Sequence, residues 1–304
     1  MIKIVLSFDF ELGWGDINSG DWQRKENLGV YSNARMVLPS LIKKMDKMGV
    51  VSTWGVVSSM IQSELSLDNF EFLPFEYKSK LLSFLASANK ESIAGGDIFE
   101  KVFQSDSIEI ASHSATHLIY SQVDSLEQAL TDFNLSFEQL ERATGSRPQS
   151  FIFPENRVDS ISNFIQPSCN ISFRCSSVLG RSGFDKAASI LSLREFDVSE
   201  SIVANINGST IQSDSLLFNW HGSHKFYRKY ALQRKALSLL NTIKFSKSNQ
   251  IYHVWLHPCD LSEDFELLIF FEQFINKLVE YANEDKVEFC TMSMIHKGID
   301  KYVY

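Results

Sequence analysis

Short apolar runs alternate with amphipathic segments along the whole chain. The first run, residues 2–8, is β-branched and apolar on both faces, as expected for a strand of a buried parallel sheet. Residues 34–48 carry apolar side chains at steps of three and four and end at Gly49, which predicts a helix before a second strand at 50–57. The same alternation predicts strands near 108–112, 150–153, 170–174, 215–220, 251–256 and 287–290, and helices from 124 onward, over 228–244 and over 264–282.

About seven or eight strands that alternate with helices predict an α/β fold, namely a (β/α) barrel that is complete or partly open. We expect residues 1–304 to form one catalytic domain, with the polar stretch at about 62–92 as an insertion. Asp124 and Glu127 have the spacing of a capping box at the start of a helix. Because barrel active sites lie where strands end, polar residues at those ends are the candidates for chemistry.

Composition narrows the possible partners and location. The chain has 29 Lys and Arg residues against 37 Asp and Glu residues, a net charge of −8, so nucleic-acid binding is not expected. No apolar stretch approaches the roughly 20 residues that span a bilayer, and the first residues do not resemble a cleavable signal. The cysteines lack C-x-x-C spacing, which favours reduced thiols in a cytoplasmic protein. They are Cys169, Cys175, Cys259 and Cys290.

Two acidic residues stand at the end of the first predicted strand. Because side chains alternate along a strand, Asp9 and Glu11 project to one side and Phe10 to the other. Two carboxylates at one pocket edge can divide the work, with one binding a cation and the other accepting a proton. A solvated strand end gives the same pattern, so the motif alone leaves both interpretations open.

His113 and His117 follow the predicted strand 108–112 at a spacing of four residues. On a helical turn this spacing points both imidazoles the same way, so that they can bind one metal ion. Two histidines that cap a helix would look the same in sequence. The pair therefore indicates either a metal site or a hydrogen-bonded helix start.

A second histidine pair, His253 and His257, lies in a segment with the pattern of a strand. His257 ends that strand, where it can donate or accept a proton near neutral pH. His253 lies deeper and is predicted to be a hydrogen-bonded core residue. The Phe-rich segment 265–274 is also assigned to the core.

Four further residues near strand ends are weaker candidates for substrate contact. Asn156 can donate to a substrate oxygen, and His221 can line the mouth of the site. Trp14 and Trp22, in the loop after the first strand, can offer apolar faces to a sugar ring. Each of the four fits a purely structural role equally well.

Taken in order, four motifs resemble the polysaccharide deacetylases of carbohydrate esterase family four, the NodB-homology group. The motifs are D-x-E at 9–11, S-H-S-x-T-H at 112–117, F-x-F-P-x-N at 151–156 and Y-H-x-W-x-H-P at 252–258. The resemblance runs from Ile2 to about Thr291 and is nearest to members associated with surface-polysaccharide assembly. It implies a distorted (β/α)₇ barrel and a metal-dependent hydrolase that removes an acyl group, with N-acetyl the first choice, from a sugar or polysaccharide precursor.

Carried over to this sequence, the resemblance makes Asp9 the general base, His257 the general acid, and His113 and His117 metal ligands. The common family pattern has a metal-binding Asp directly after the base, whereas an apolar residue stands there in this chain. Glu11 fits a smaller branch that spaces its two acids by one residue, so Glu11 is the predicted third ligand. The implied cofactor is a divalent metal ion, with Zn²⁺ the first candidate.

The family also has an arginine before the proline of the third motif, which steadies the base. This chain has Ile152 and Phe153 there, and Arg157 is the nearest replacement. This departure and Phe10 leave two alternatives open. One is a metal-independent hydrolase of cyclic amides from the same superfamily, and the other is a catalytically silent carbohydrate-binding scaffold. The sequence predicts neither the identity of the sugar nor the oligomeric state.

Overall fold

One mixed sheet forms the centre of the molecule in this computed structural model, which describes residues 1–164, 171–175, 198–222, 224–246 and 249–298. Ten strands lie in these ranges. They are β1 (Ile2–Phe10), β2 (Ser52–Val56), β3 (Ile108–Ser112), β4 (Ser150–Ile152), β5 (Ser172–Cys175), β6 (Val203–Ile206), β7 (Ser209–Ser213), β8 (Leu216–Leu217), β9 (Ile251–Leu256) and β10 (Val287–Cys290).

Helices connect most of these strands. Within the same ranges they are α1 (Trp22–Asn27), α2 (Val30–Lys47), α3 (Phe75–Ser87), α4 (Lys90–Ile93), α5 (Gly96–Phe103), α6 (Leu126–Thr144), α7 (Lys225–Phe245), α8 (Pro258–Glu263), α9 (Phe265–Asn283) and α10 (Met292–Lys297). Short 3₁₀ turns lie at Leu12–Asp16, Ser58–Ile61, Leu67–Phe70, Pro154–Asn156 and Ile161–Asn163.

Parallel pairing dominates the strand order β6-β7-β5-β4-β3-β2-β1-β9-β8, in which β6 and β7 are the antiparallel pair. Strand β10 pairs with the first part of β1, over Ile2–Val5, and β2 pairs with the second part. The segment 209–217 joins the two sides of this order, because it contains both β7, which pairs with β5, and β8, which pairs with β9. The sheet therefore curls into a distorted (β/α) barrel, which confirms the predicted fold class.

The segment 209–217 also shows where the pattern fails. The strand predicted over 215–220 shrinks to β8, and the hairpin of β6 and β7 is not predicted at all. Strand β7 has the sequence S-T-I-Q-S and is buried throughout. Because most of its side chains are polar, it does not form the apolar run by which a buried strand is predicted. The strand predicted over 170–174 corresponds to β5, and its first residue, Asn170, lies outside the described residues.

Two helix starts differ from the pattern. Ser125, and not Asp124, caps α6: its Oγ accepts from the N–H of Gln128, whose side chain accepts from the N–H of Ser125. Phe265 is 70% exposed, so its assignment to the core is wrong. It precedes the buried Phe271 by six residues, and at about 100° per residue that spacing places it on the far side of α9.

The segment 62–92 packs against the loop that follows β1 through Phe84 of α3, which contacts Trp14 and Trp22. That this segment is an insertion, and that residues 1–304 form one domain, remain predictions. The thiols of Cys175, Cys259 and Cys290 are buried and unbridged in the described part of the chain, and Cys169 lies outside it. None of the helices described above combines the length and the apolar character needed to cross a bilayer.

A buried carboxylate on α6 holds the loop that follows β3. Asp132 Oδ1 accepts from the N–H and the hydroxyl of Thr116 at 3.0 and 2.7 Å, and Oδ2 accepts from Ala115 N–H and Tyr120 Oη at 3.1 and 2.9 Å. Burial raises the pKa of Asp132, and these hydrogen bonds limit the rise. The bonds tie residues 113–117 to the core of the protein.

Replacing Asp132 with Ala would leave these four donors without an acceptor inside the protein. We expect the free energy of unfolding to fall by on the order of 3 kcal/mol, as measured by urea unfolding followed by circular dichroism. Glu141→Ala on the same helix, which removes an exposed pair with Arg147, is the matched control and should cost less than about 1 kcal/mol. Equal losses for the two variants would contradict the role given to Asp132.

Candidate active site

The carboxyl ends of β1, β3 and β9 bring the predicted catalytic and metal-binding residues around one point. Glu11 Oε2 lies 3.1 Å from His113 Nε2 and 2.9 Å from His117 Nε2. Glu11 Oε1 lies 3.6 Å from His257 Nε2, and Asp9 Oδ2 lies 4.0 Å from His113 Nε2. Residues far apart in sequence therefore converge on a single site.

Because side chains alternate along β1, Asp9 and Glu11 both point toward the histidines of this site. Phe10 turns the other way and is buried with its ring edge-on to Trp54, at a centroid distance of 6.0 Å. Gly15 leaves the space that the Glu11 carboxylate occupies, because a Cβ at this position would collide with Oε1. The strand and the glycine together fix where Glu11 can lie.

His113 and His117 converge through a loop rather than through the predicted helical turn. Ser114 and His117 have positive φ angles of 68° and 61°. Ser114 Oγ accepts from the N–H of His117 at 2.7 Å, and the ring centroids of the two histidines lie 5.0 Å apart. The hydrogen bonds of Asp132 hold this loop in place. The two imidazoles are therefore brought together by a buried carboxylate and not by a helical turn.

The donor set of this cluster suits a metal ion. His113 Nδ1 donates to the carbonyl oxygen of Ile152 at 2.9 Å, which leaves a lone pair on Nε2. That lone pair faces Glu11 Oε2, a second acceptor, so only a proton or a cation between the two atoms makes the contact favourable. Ligand atoms of Glu11, His113 and His117 lie within 4.8 Å of one another. Two imidazole nitrogens and one carboxylate oxygen are a known ligand set for Zn²⁺ in hydrolases, with the fourth position left open.

Electrostatic attraction opposes the cost of burying these groups. Burial alone would raise the pKa of Glu11, but His117 and His257 outweigh it and hold this pKa well below its usual value. Burial would lower the pKa of His117, and Glu11 raises it instead. Likewise, against the effect of burial, Glu11 and then Asp260 raise the pKa of His257 to about 10. The site thus favours a charged carboxylate beside cationic partners.

Arg174 on β5 completes the site, although the sequence analysis did not single it out. It is fully buried, and its Nη2 donates to Asp9 Oδ2 at 2.5 Å while its Nε donates to Asn156 Oδ1 at 3.0 Å. The guanidinium also lies over the ring of Trp255, at 4.6 Å from the ring centroid. Burial would raise the pKa of Asp9, but Arg174 outweighs it and the pKa is lowered. Asp9 is therefore ionised, with Oδ2 bound and Oδ1 without a hydrogen-bond partner among the described residues.

Arg174, and not Arg157, is thus the arginine that pairs with Asp9 in this structure. The Arg157 side chain is 59% exposed and pairs with Glu155 at 3.1 Å. One local signal was available: in the strand S-F-R-C, Arg174 alternates with Phe173 and Cys175. An arginine that faces a barrel interior needs a carboxylate partner.

Ser7 and His253 support Arg174 from behind. Arg174 Nη1 donates to Ser7 Oγ at 2.6 Å, so the Ser7 hydroxyl is left to donate to His253 Nε2 at 2.7 Å. Burial, and then the nearby Arg174, hold the pKa of His253 well below its usual value, so this ring is neutral. The prediction of a hydrogen-bonded core histidine is confirmed.

The predicted role of the two tryptophans is wrong. Trp14 is fully buried, packs edge-on to Phe84 at 5.9 Å and donates its indole N–H to the carbonyl of Ile93 at 2.8 Å. Trp22 is only 7% exposed and packs on the same phenylalanine. Helix α3 covers both rings, so neither offers a face to a sugar.

Asn156 and His221 have different positions. Asn156 is buried and its Oδ1 accepts from Arg174, so it orients that arginine rather than reaching into open space. His221 lines a pocket of about 500 Å³ beside His257. The His221 side chain is 18% exposed and can contact a ligand there, while its Nε2 is buried without a hydrogen-bond partner in the described part of the chain.

A second cluster of possible metal ligands lies in the same pocket, formed by His221, Asp260 and Glu263. Arg24 Nη1 donates to Glu263 Oε1 at 2.7 Å. A cationic side chain is therefore already bound to this cluster, which suits a metal ion less well than the cluster around Glu11.

Residues 30–172 match the family model described as polysaccharide deacetylase. This match and the motifs of the sequence together support the identification of the chain as a polysaccharide deacetylase. They also support a hydrolase of the carbohydrate deacetylase class. The matched range contains His113 and His117, whereas Asp9, Glu11 and His257 lie outside it and join the site through the fold.

Solved structures with low sequence identity share the fold of this protein. A protein described as a polysaccharide deacetylase from Mycobacterium smegmatis is 10% identical with a TM-score of 0.56, and the alignment covers 99% of this chain and 90% of that one. One from Pseudomonas aeruginosa PAO1 is 12% identical with a TM-score of 0.55, covering 99% and 91%. Puue allantoinase is 12% identical with a TM-score of 0.56, covering 100% and 92%. No curated protein matches the sequence significantly.

If Glu11, His113 and His117 hold a divalent ion, each alanine variant should weaken Zn²⁺ binding by more than about 100-fold, beyond the loss typical of a residue that only supports a ligand. Titration calorimetry of chelator-treated protein with Zn²⁺ measures this without an activity assay. His221→Ala is the matched control and should leave the affinity within about twofold. An unchanged affinity in His117→Ala would overturn the assignment.

Proposed function

We propose that this polysaccharide deacetylase removes an N-acyl group, with acetyl the first choice, from a sugar or polysaccharide precursor. Glu11, His113 and His117 would hold a divalent ion, for which Zn²⁺ is the first candidate, Asp9 would be the general base and His257 the general acid. The observation that carries the proposal is the convergence of all five side chains at the ends of β1, β3 and β9. From the motif resemblance we further propose a role in surface-polysaccharide assembly. From the cysteine spacing we propose that the protein acts in the cytoplasm.

A divalent ion bound in this cluster would supply Lewis acidity, which lowers the pKa of the attacking water and polarises the acyl carbonyl. Asp9 accepts the proton of that water at Oδ1, because Arg174 already holds Oδ2. As the proton leaves, the water oxygen forms a bond to the acyl carbon. Arg174 keeps Asp9 ionised and oriented for this step.

His257 is suited to protonate the leaving nitrogen. Its Nδ1 faces Asp260 Oδ2 at 3.3 Å, which directs Nε2 toward Glu11 and the reacting atoms. Besides Glu11, Asp260 raises the pKa of His257 against the effect of burial, which favours the protonated ring that this step requires. When the C–N bond breaks, the nitrogen takes this proton, and the products are an amine and a carboxylate.

Asp9→Asn and His257→Ala should each lower the rate of acyl release by about 10²–10⁴-fold while leaving the fold intact, because each removes one proton-transfer group. The measurement is acetate release from a panel of N-acetylated sugars, with circular dichroism as the check on folding. Asp124→Asn and His224→Ala, at exposed positions outside the site, are the matched controls. Rates like those of the unaltered protein in either active-site variant would exclude the assigned role.

Two results of the same assay would favour the alternatives. Opening of a cyclic amide that resists chelator treatment would indicate a metal-independent hydrolase, a reaction class compatible with the fold shared with Puue allantoinase. Sugar binding without acyl release by the protein loaded with Zn²⁺ would indicate a silent scaffold.

Arg174→Met should lower kcat by about 100-fold with little change in KM, because Asp9 loses the donor that orients it. Ser7→Ala should act in the same direction by about tenfold, since it removes the acceptor that holds Arg174 Nη1. The measurement is steady-state kinetics together with Zn²⁺ titration, in which affinity should stay unchanged. Arg147→Met, on the surface, is the control, and a loss of Zn²⁺ binding in Arg174→Met would contradict an action through Asp9.

A further inference from the structure

Helix α7 has a charge opposite to that of the rest of the protein. Its 21 residues include six basic side chains and no Asp or Glu. Since the whole chain has a net charge of −8, the remainder carries −14. The six are Lys225, Arg228, Lys229, Arg234, Lys235 and Lys244.

The solvent-facing side of α7 also carries large apolar side chains. Phe226 is 93% exposed, Phe245 is 73% exposed and Leu237 is 48% exposed. The helix packs onto the protein through a different stripe, formed by Leu232, Ala236, Leu239 and Ile243. Because residues three and four apart share a helix face, the solvent side presents positions 230, 234, 237, 241 and 245 in one row. The side opposite the buried stripe therefore combines exposed apolar side chains with a cation, in the order Tyr230, Arg234, Leu237, Asn241 and Phe245.

Part of the positive charge of α7 is not paired with an acid in the described part of the chain. Lys225 pairs with Asp264 and Lys229 pairs with Glu266, both at 2.8 Å and both near the start of the helix. Further along, Arg234 and Lys235 form no ion pair with any residue that the structure describes. Lys244 lies near enough to Glu284 to lower the pKa of that carboxylate, and its Nζ is 5.2 Å from the centroid of the Phe245 ring. Cations without an ion pair and exposed apolar side chains thus occur together on α7.

We propose that the exposed face of α7 docks the protein on an anionic phospholipid surface. Cations near such a surface are attracted to the lipid head groups, while apolar side chains on the same face insert at the boundary with the acyl chains. Leu237 and Phe245 favour lipid over nucleic acid, since a phosphate backbone offers them no apolar contact.

Docking through α7 would bring the active-site pocket close to the membrane. Lys225, at the start of α7, lines the pocket of about 500 Å³ that also contains His257 and His221. The proposal does not rest on the proposed reaction, because binding to lipid can be measured without turnover.

The first test compares charge variants by co-sedimentation of the full chain with vesicles. Phosphatidylcholine vesicles that contain phosphatidylglycerol should bind the protein, pure phosphatidylcholine vesicles should bind it far less, and added salt should weaken binding. The double variant Arg234→Gln/Lys235→Gln should weaken binding by about 25-fold, at roughly fivefold for each cation. Lys43→Gln/Lys47→Gln, an exposed pair on α2 that loses the same charge, is the matched control and should change binding by less than about twofold.

The second test removes the apolar contribution. Phe226→Ser/Phe245→Ser should weaken vesicle binding by about tenfold or more without affecting folding, since both rings are exposed. Phe75→Ser, at a residue that is 85% exposed on α3, is the control. Release of acetate from soluble N-acetylated sugars should be unchanged in all of these variants.

Three outcomes would overturn the proposal. They are equal binding to both kinds of vesicle, equal losses in the control variants, and tight binding to an RNA homopolymer that is insensitive to the phenylalanine substitutions. The last result would indicate a polyanion partner instead. Absence of acyl release together with the expected vesicle binding would count against the proposed reaction alone.

Discussion

Burying two ionised carboxylates at the end of one strand is the constraint on which the rest of the site depends. Asp9 and Glu11 are both largely removed from water, and a buried charge is tolerated only when it is paired and hydrogen-bonded. Arg174 compensates Asp9, and the imidazoles of β3 and β9 surround Glu11. The strands that supply these partners are thereby held in register around β1.

Further polar side chains in the barrel interior provide hydrogen-bond partners for Arg174. A guanidinium inside a protein needs acceptors for its remaining N–H groups, and Ser7 and Asn156 provide them. Ser7 in turn requires an acceptor for its own proton, which neutral His253 supplies. A chain of hydrogen bonds thus runs from Asp9 through Arg174 and Ser7 to His253, whose buried Nδ1 has no partner among the described residues. Such networks favour a single geometry of the groups that they connect.

The local sequence pattern predicted some residues of the site but not others. Asp9 with Glu11, and His113 with His117, are pairs whose members are close in sequence, so strand alternation and spacing could point to them. Arg174 meets Asp9 across 165 positions of sequence, and no periodicity reports such a contact. The burial of Trp14 under α3, and the polar strand β7, are likewise decided by tertiary neighbours and not by local preference.

The guanidinium that pairs with Asp9 belongs to Arg174 on β5 and not to the third motif, which matters when related chains are compared. Because it reaches Asp9 from β5, the described part of the loop that follows β4 supports this pairing through Asn156, which accepts from Arg174. The absence of the third-motif arginine therefore does not by itself leave the buried carboxylate without a cationic partner. Classification by that motif alone would separate this chain from chains with the same ion pair, whereas a search for a buried basic residue on the strand next to β4 would group them together.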